Sequence, residues 1–227
     1  MALYPEVQTK AQEELDRVLG SNKFPTFEDR HSLPYIDAIV KESLRWHPVA
    51  PMGIPHMCSE DDVYKGYRIP KGSLVMPNIW YGTPVSGKGA SYHRIANHLH
   101  REFTHDPETY KDPRTFNPSR FLSPTPEMDP RNLSFGFGRR ICPGRLLADS
   151  TIFMTIAKSL AVFDIQPDGE DSVGEEFLPG VISHPAPFRL RITPRSEVAE
   201  GLVRAIEREI PWGKGDRELI EGVNVEV

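Results

Sequence analysis

The sequence predicts a fold that is mainly α with small β-sheets, an α+β arrangement. Two stretches near the start carry apolar residues at the spacing of an amphipathic helix, and a third, residues 151–163, is apolar enough to form a buried one. Period-2 alternation is confined to short runs separated by glycine and proline.

Taken in order, residues 5–19 place Val7, Ala11, Leu15, Val18 and Leu19 on one helical stripe, with Pro5 suited to the helix start and Gly20 to its end. Thr26-Phe27-Glu28-Asp29 resembles a capping box in which Asp replaces the usual Glu. A second helix, residues 34–46, sets Ile36, Ile39, Val40 and Leu44 on one side and stops before Pro48. Residues 62–64 and 67–69 flank Lys65-Gly66, a two-residue hairpin turn. Residues 73–79 continue as a strand, and Pro77 marks it as a sheet edge. Residues 103–130, rich in proline and aspartate, read as a long loop with short helical turns. A helix is then expected to run to Phe163 with Leu146, Leu147, Phe153, Ile156, Ala157 and Leu160 inward. Phe188, Leu190 and Ile192 alternate with Arg189 and Arg191 as a strand, and a polar helix spans residues 196–210.

Composition narrows the function classes. The 227 residues suffice for one domain with a sizeable core. At 38% hydrophobic and 26% charged the chain is neither disordered nor membrane-spanning overall, and a net charge of −5 gives no nucleic-acid signal. Two cysteines, Cys58 and Cys142, are too few for a disulfide scaffold or a four-cysteine zinc site, and both can stay free in a reducing compartment. The first residues lead straight into a charged amphipathic segment, so neither a signal peptide nor a membrane anchor is expected within the chain. Residues 151–163 are too few to span a bilayer and include Lys158.

The chemistry concentrates at Phe135-Gly136-Phe137-Gly138-Arg139-Arg140-Ile141-Cys142-Pro143-Gly144. Pro143 fits the first position of the following helix, which puts Cys142 at a helix N-terminus, where free N–H groups and the dipole favour a negatively charged sulfur. Gly138 can take the positive φ of a tight turn, and Gly144 lets a large flat group come close. Arg140 can offer a planar fork to a carboxylate such as a haem propionate. A buried structural thiol is the competing reading of a lone cysteine.

Phe135, Gly138, Arg140, Cys142 and Gly144 fill every fixed position of Phe-x-x-Gly-x-Arg-x-Cys-x-Gly, which resembles the haem-ligating signature of the cytochrome P450 monooxygenases. The resemblance implies haem b as cofactor and Cys142 as the axial ligand of its iron. Glu42 and Arg45, alone an ordinary i,i+3 ion pair, resemble the family's Glu-x-x-Arg helix. Phe116-Asn117-Pro118-Ser119-Arg120-Phe121 resembles its meander, which makes Arg120 the expected third member of a buried cluster that holds the cysteine loop. His56 falls where family members set a basic residue against a propionate. Val49 and Ile54, with Val181 and Ile182, fall in segments that line the substrate, and their apolar character suits a greasy small molecule. Arg131, Arg139, Arg140 and Arg145 form either a basic patch for an acidic electron donor or a solvated surface. By resemblance the donor is an NADPH-dependent reductase, and the parent enzyme sits at the endoplasmic reticulum membrane, as in eukaryotic microsomal, in particular fungal, members.

Two departures shape the expectation. The resemblance covers residues 1–205, less than half a usual member, with a polar tail at 206–227. The membrane anchor, the distal helix with its acid–alcohol pair for oxygen activation and most of the substrate roof are expected to be missing, so no catalytic residue is assigned within this chain. Residues 81–100 interrupt the pattern. They hold His93, His98 and His100, but no carboxylate or cysteine supports a metal site there, and their removal restores the pattern, as an unspliced intron would. Three readings stay open: the C-terminal part of a haem-thiolate monooxygenase, a catalytically inactive fragment or interaction module, and a haem-thiolate enzyme that rearranges peroxides.

Overall fold

A computed structural model describes residues 1–79, 103–169, 173–178 and 180–209. The 81–100 segment and the tail beyond residue 209 lie outside the described residues.

Helix α1 (Pro5–Leu19) opens with Pro5 in its first turn and closes at Gly20, whose N–H reaches the Asp16 carbonyl. Its stripe of Val7, Ala11, Leu15 and Leu19 is buried. After it, the Asp29 carboxylate accepts hydrogen bonds from both the N–H and the hydroxyl of Thr26, at 2.8 Å each. These bonds lead into a short 3-10 turn, Glu28–Ser32, whose cap residue Phe27 makes no side-chain bond, and no α-helix forms there. Helix α2 (Pro34–Trp46) likewise starts on proline. Its orphan N-terminal N–H groups at Tyr35 and Ile36 donate to the buried Glu14 carboxylate of α1, at 2.9–3.1 Å.

Among the described residues, four two-stranded antiparallel sheets follow. Strands β1 (His56–Met57) and β4 (Leu74–Val75) pair His56 with Val75. Strands β2 (Asp62–Tyr64) and β3 (Tyr67–Ile69) form the expected hairpin, with Lys65 and Gly66 both at positive φ. The strand expected over residues 73–79 shrinks to Leu74–Val75. Pro77, which lacks an N–H for a ladder, follows closely. Residues 103–130 form the expected loop with one 3-10 turn, Pro118–Phe121, capped by the Asn117 side chain accepting from the Ser119 N–H at 3.1 Å. Helix α3 (Arg131–Ser134) precedes the cysteine loop, and α4 (Arg145–Val162) follows it. Strand β5 (Phe163–Pro167) leaves α4 directly and pairs with β8 (Leu190–Pro194), placing Ile165 opposite Ile192. Strands β6 (Phe177–Leu178) and β7 (His184–Pro185) make the last pair, and α5 (Glu197–Glu209) packs on α4 and β8.

The main core joins α1, α2 and Phe153, Ala157 and Leu160 of α4. A second small cluster, Ala38, Tyr110 and Phe121, lies on the other face of α2. Helix α2 is therefore covered on both sides, by apolar helices and by the meander loop. Two expectations for α4 are corrected. The helix begins at Arg145 with Gly144 as its cap, so Pro143 does not take its first position. Leu146 and Leu147 do not point inward: they are 73% and 75% exposed. The buried stripe of α4 starts only at Asp149, because among the described residues no element packs over its first turn.

Candidate functional site

Helix α2 is the platform. Glu42 and Arg45 lie on the face away from the apolar stripe, yet both are 0% exposed because the meander closes over them. All five guanidinium N–H donors of Arg45 find acceptors. Nε and Nη2 grip the two Glu42 carboxylate oxygens at 2.7 and 2.9 Å. The remaining donors reach the carbonyls of Thr104 (2.9 Å), Pro113 (2.8 Å) and Thr115 (3.4 Å). Arg120 donates from Nε to Glu42 at 3.3 Å, from Nη2 to the Thr115 carbonyl at 2.9 Å and from Nη1 to Glu127 at 2.7 Å. The Asn117 N–H adds a further bond to Glu42 at 2.7 Å. Two arginines and two glutamates thus balance in charge, the condition under which buried ions are tolerated. Glu127 and the three carbonyls carried no sequence signal. They lie on a loop whose local spacing says nothing about what it will cover.

The cysteine loop rises from this platform. The Ser134 hydroxyl donates to the Leu44 carbonyl of α2 at 3.2 Å, and Phe135 packs against the main core. Gly136 and Gly138 both take positive φ, turning the chain so that the Cys142 N–H returns to the Phe135 carbonyl at 2.8 Å. Gly138–Arg140 form a 3-10 turn inside the loop. The thiol of Cys142 is exposed. Gly144 lies beside it: a Cβ there would stand 3.9 Å from the sulfur, in ordinary contact. Leu146, Leu147 and Phe137 are exposed in the same short stretch of chain. An accessible soft donor in a glycine-turned loop and apolar surface beside it fit a flat, apolar, iron-bearing ring.

The other sequence-derived candidates are placed as follows. Arg140 is exposed and makes no ion pair among the described residues. His56 is exposed on β1, and no hydrogen bond or ion pair joins it to Arg140 or Cys142. Val49, Ile54, Val181 and Ile182 are exposed, and their two segments are tied together by the Ser183 N–H donating to the Val49 carbonyl at 2.8 Å. The same serine's hydroxyl meets His47 Nε2 at 2.8 Å, and the His47 ring stacks on Phe177. Burial lowers the His47 pKa to about 4. His105, beside Trp46, falls to about 3, through burial first and the Arg45 charge second. Arg131 does not belong to a basic patch with Arg139, Arg140 and Arg145. It is engaged by Asp129 at 2.6 Å and Asp149 at 3.2 Å, and the Asp129 hydrogen bonds raise its pKa. Cys58 lies apart, its sulfur donating to the Glu60 carbonyl.

The family profile for cytochrome P450 matches residues 1–82 and 99–192. The chain is 48% identical over 214 residues to cytochrome P450 monooxygenase claR of Ampulloclitocybe clavipes, an alignment covering 91% of this chain and 36% of that protein. It is 47% identical to the O-methylsterigmatocystin oxidoreductase of Aspergillus flavus, over 95% of this chain and 38% of the relative. Among solved structures it superposes on a zebrafish cytochrome P450 solved with abiraterone, with a TM-score of 0.70 and 30% identity, covering 86% of this chain and 42% of the other. The chain belongs to the cytochrome P450 family, whose cofactor is haem, and these two curated relatives are fungal. It spans between a third and two fifths of their length.

Proposed function

We propose that Cys142 is the axial thiolate ligand of a haem b iron, in the C-terminal part of a monooxygenase that inserts one oxygen atom from O2 into an apolar small molecule. The observation that carries this is the exposed cysteine in a glycine-shaped loop bonded to the helix that bears a buried charge cluster. When bound, the haem supplies the iron on which dioxygen is activated, and a thiolate ligand pushes electron density toward it. The chain's own residues bind and orient. Cys142 presents the sulfur, and Phe135, Gly138 and Gly144 shape its loop. Arg140 supplies a cation, and His56 a ring N–H donor, for the propionates. Glu42, Arg45 and Arg120 keep the platform rigid. Val49, Ile54, Val181 and Ile182 offer apolar surface to substrate. We take residues 1–205 as one domain fragment, and assign no catalytic acid or base within it.

For the whole protein we propose an NADPH-dependent reductase as electron donor and the endoplasmic reticulum membrane as location. Among the described residues no helix is long and apolar enough to cross a membrane. A second reading, that this chain alone is inactive, is favoured by its share of its relatives' length. Titration with excess haem, followed by reduction under carbon monoxide, tests the ligand. Thiolate-type absorption is expected in Cys58→Ser and absent in Cys142→Ser. Its retention in Cys142→Ser overturns the assignment. Added reductase and NADPH then separate an active chain from an inactive one.

A further inference from the structure

The cysteine loop stands between two stems, α3 before it and the start of α4 after it. A backbone turn alone leaves such stems free to part. Here a side-chain bond closes them: Arg131 Nη1 on α3 donates to Asp149 Oδ1 on α4 at 3.2 Å, across 18 positions that enclose Cys142. Asp149 is buried, and its other oxygen accepts from Arg30 Nη1 at 2.6 Å. Arg30 turns its Nε to Asp37 of α2 at 3.0 Å and lies 4.7 Å over the Phe153 ring. Lys41 of α2 stands 3.7 Å from Asp129, which in turn holds Arg131 at 2.6 Å. Three carboxylates and three cations thus bind both stems to each other and to the platform that carries Glu42 and Arg45.

We infer that Asp149 and Arg131 are positioning residues for the Cys142 sulfur. They set the distance between the two stems and so the direction in which the loop presents its thiol. This rests on Cys142 being the iron ligand, because a ligating sulfur must be held within a fraction of an ångström. Exposed ion pairs generally contribute little. This network differs in being shared, partly buried and fork-shaped at both arginines. Neutralising Asp149 removes the acceptor on which two guanidinium groups converge. Arg30 keeps Asp37 and Arg131 keeps Asp129, but the carboxylate that draws the two guanidinium groups together is gone, and the stems lose the link that joins them.

The test is amide hydrogen exchange of the 227-residue chain without haem, comparing the parent with Asp149→Asn and Arg131→Gln. The reporter is the Cys142 N–H, which the loop closes onto the Phe135 carbonyl. Both variants are expected to exchange it about tenfold faster, as local opening requires, with α1 amides such as Leu15 unchanged. Equal acceleration everywhere assigns the network to general stability and overturns the positioning role. An unchanged Cys142 amide overturns it too. If Asp149→Asn does not fold, Arg131→Lys, which keeps the charge and loses the fork, is measured in its place and is expected to accelerate the same amide selectively. Because exchange is read without haem, its outcome is independent of the haem titration. In haem-loaded samples the variants are expected to show a smaller thiolate-type fraction than the parent. Loss of that signal in the parent itself counts against the ligand assignment and not against the network.

Discussion

At the scale of single residues, the contrast between two arginines shows what burial does to a charge. Arg68 pairs with Asp61 at 2.9 Å in open solvent, whereas Arg45 meets five acceptors at 0% exposure. Arg45→Ala leaves Glu42 inside the protein with half its partners gone. It is expected to cost about 3–5 kcal/mol, against less than about 1 kcal/mol for Arg68→Ala. Urea denaturation of the two variants measures the difference. A small loss for Arg45→Ala would show that the cluster is solvated in the working protein. The Glu-x-x-Arg pair was legible in the sequence as a spacing. Its burial was not, because that is conferred by carbonyls 59 to 70 positions away. Arg131 shows the same gap: sequence proximity to Cys142 suggested a surface patch, while Asp129, only two residues before it, captured its guanidinium.

At the scale of elements, helices were legible and sheets were only partly so. The stripes of α1 and α2 recur over three or more turns, a signal that survives local noise. Strands two residues long, such as β1, β4, β6 and β7, carry no period at all. They exist because neighbouring segments are already held in place. Helix α4 is the instructive failure. Leu146 shares its apolar character with Phe153, but burial needs a partner as well as a pattern, and among the described residues none covers the first turn. Two opposite outcomes follow along one helix. Phe153→Ala is expected to destabilise the chain by about 3–5 kcal/mol. Leu146→Ser with Leu147→Ser is expected to leave the unfolding midpoint nearly unchanged and to weaken haem uptake, since those side chains offer apolar area to the ring. Thermal melts and haem titration of both variants check this. A melt lowered as much by the leucine pair as by Phe153→Ala contradicts the exposed first turn.

At the scale of the whole molecule, two half-buried imidazoles tie stability to acid pH. His47 and His105 titrate near 4 and 3 when folded, against 6.5 when exposed. The unfolded chain therefore binds more protons between these values, and stability falls as pH drops below about 6.5, down through the folded pKa of each. Carboxylates held low by hydrogen bonds, such as Asp129, titrate below 3.8 and leave the upper part of this window to the histidines. The urea midpoint is expected to be lower at about pH 5 than at about pH 7.5; equal midpoints contradict the lowered pKa of both rings. Haem uptake by this chain alone is expected to be weak, since the apolar surface around Cys142 serves one face of the ring and leaves much of its area in water. Stoichiometric, tight uptake contradicts that. The buried cluster on α2 also carries a consequence for how the chain comes into being. Glu42 and Arg45 obtain their cover from residues 59 to 78 positions further along. On the ribosome their helix emerges first and waits with a charged face in water, unable to commit to an interior. The moment of commitment is set by the arrival of Asn117 and Arg120, so nascent chains arrested before that point are expected to be cut readily by protease within α1 and α2, and longer ones to resist.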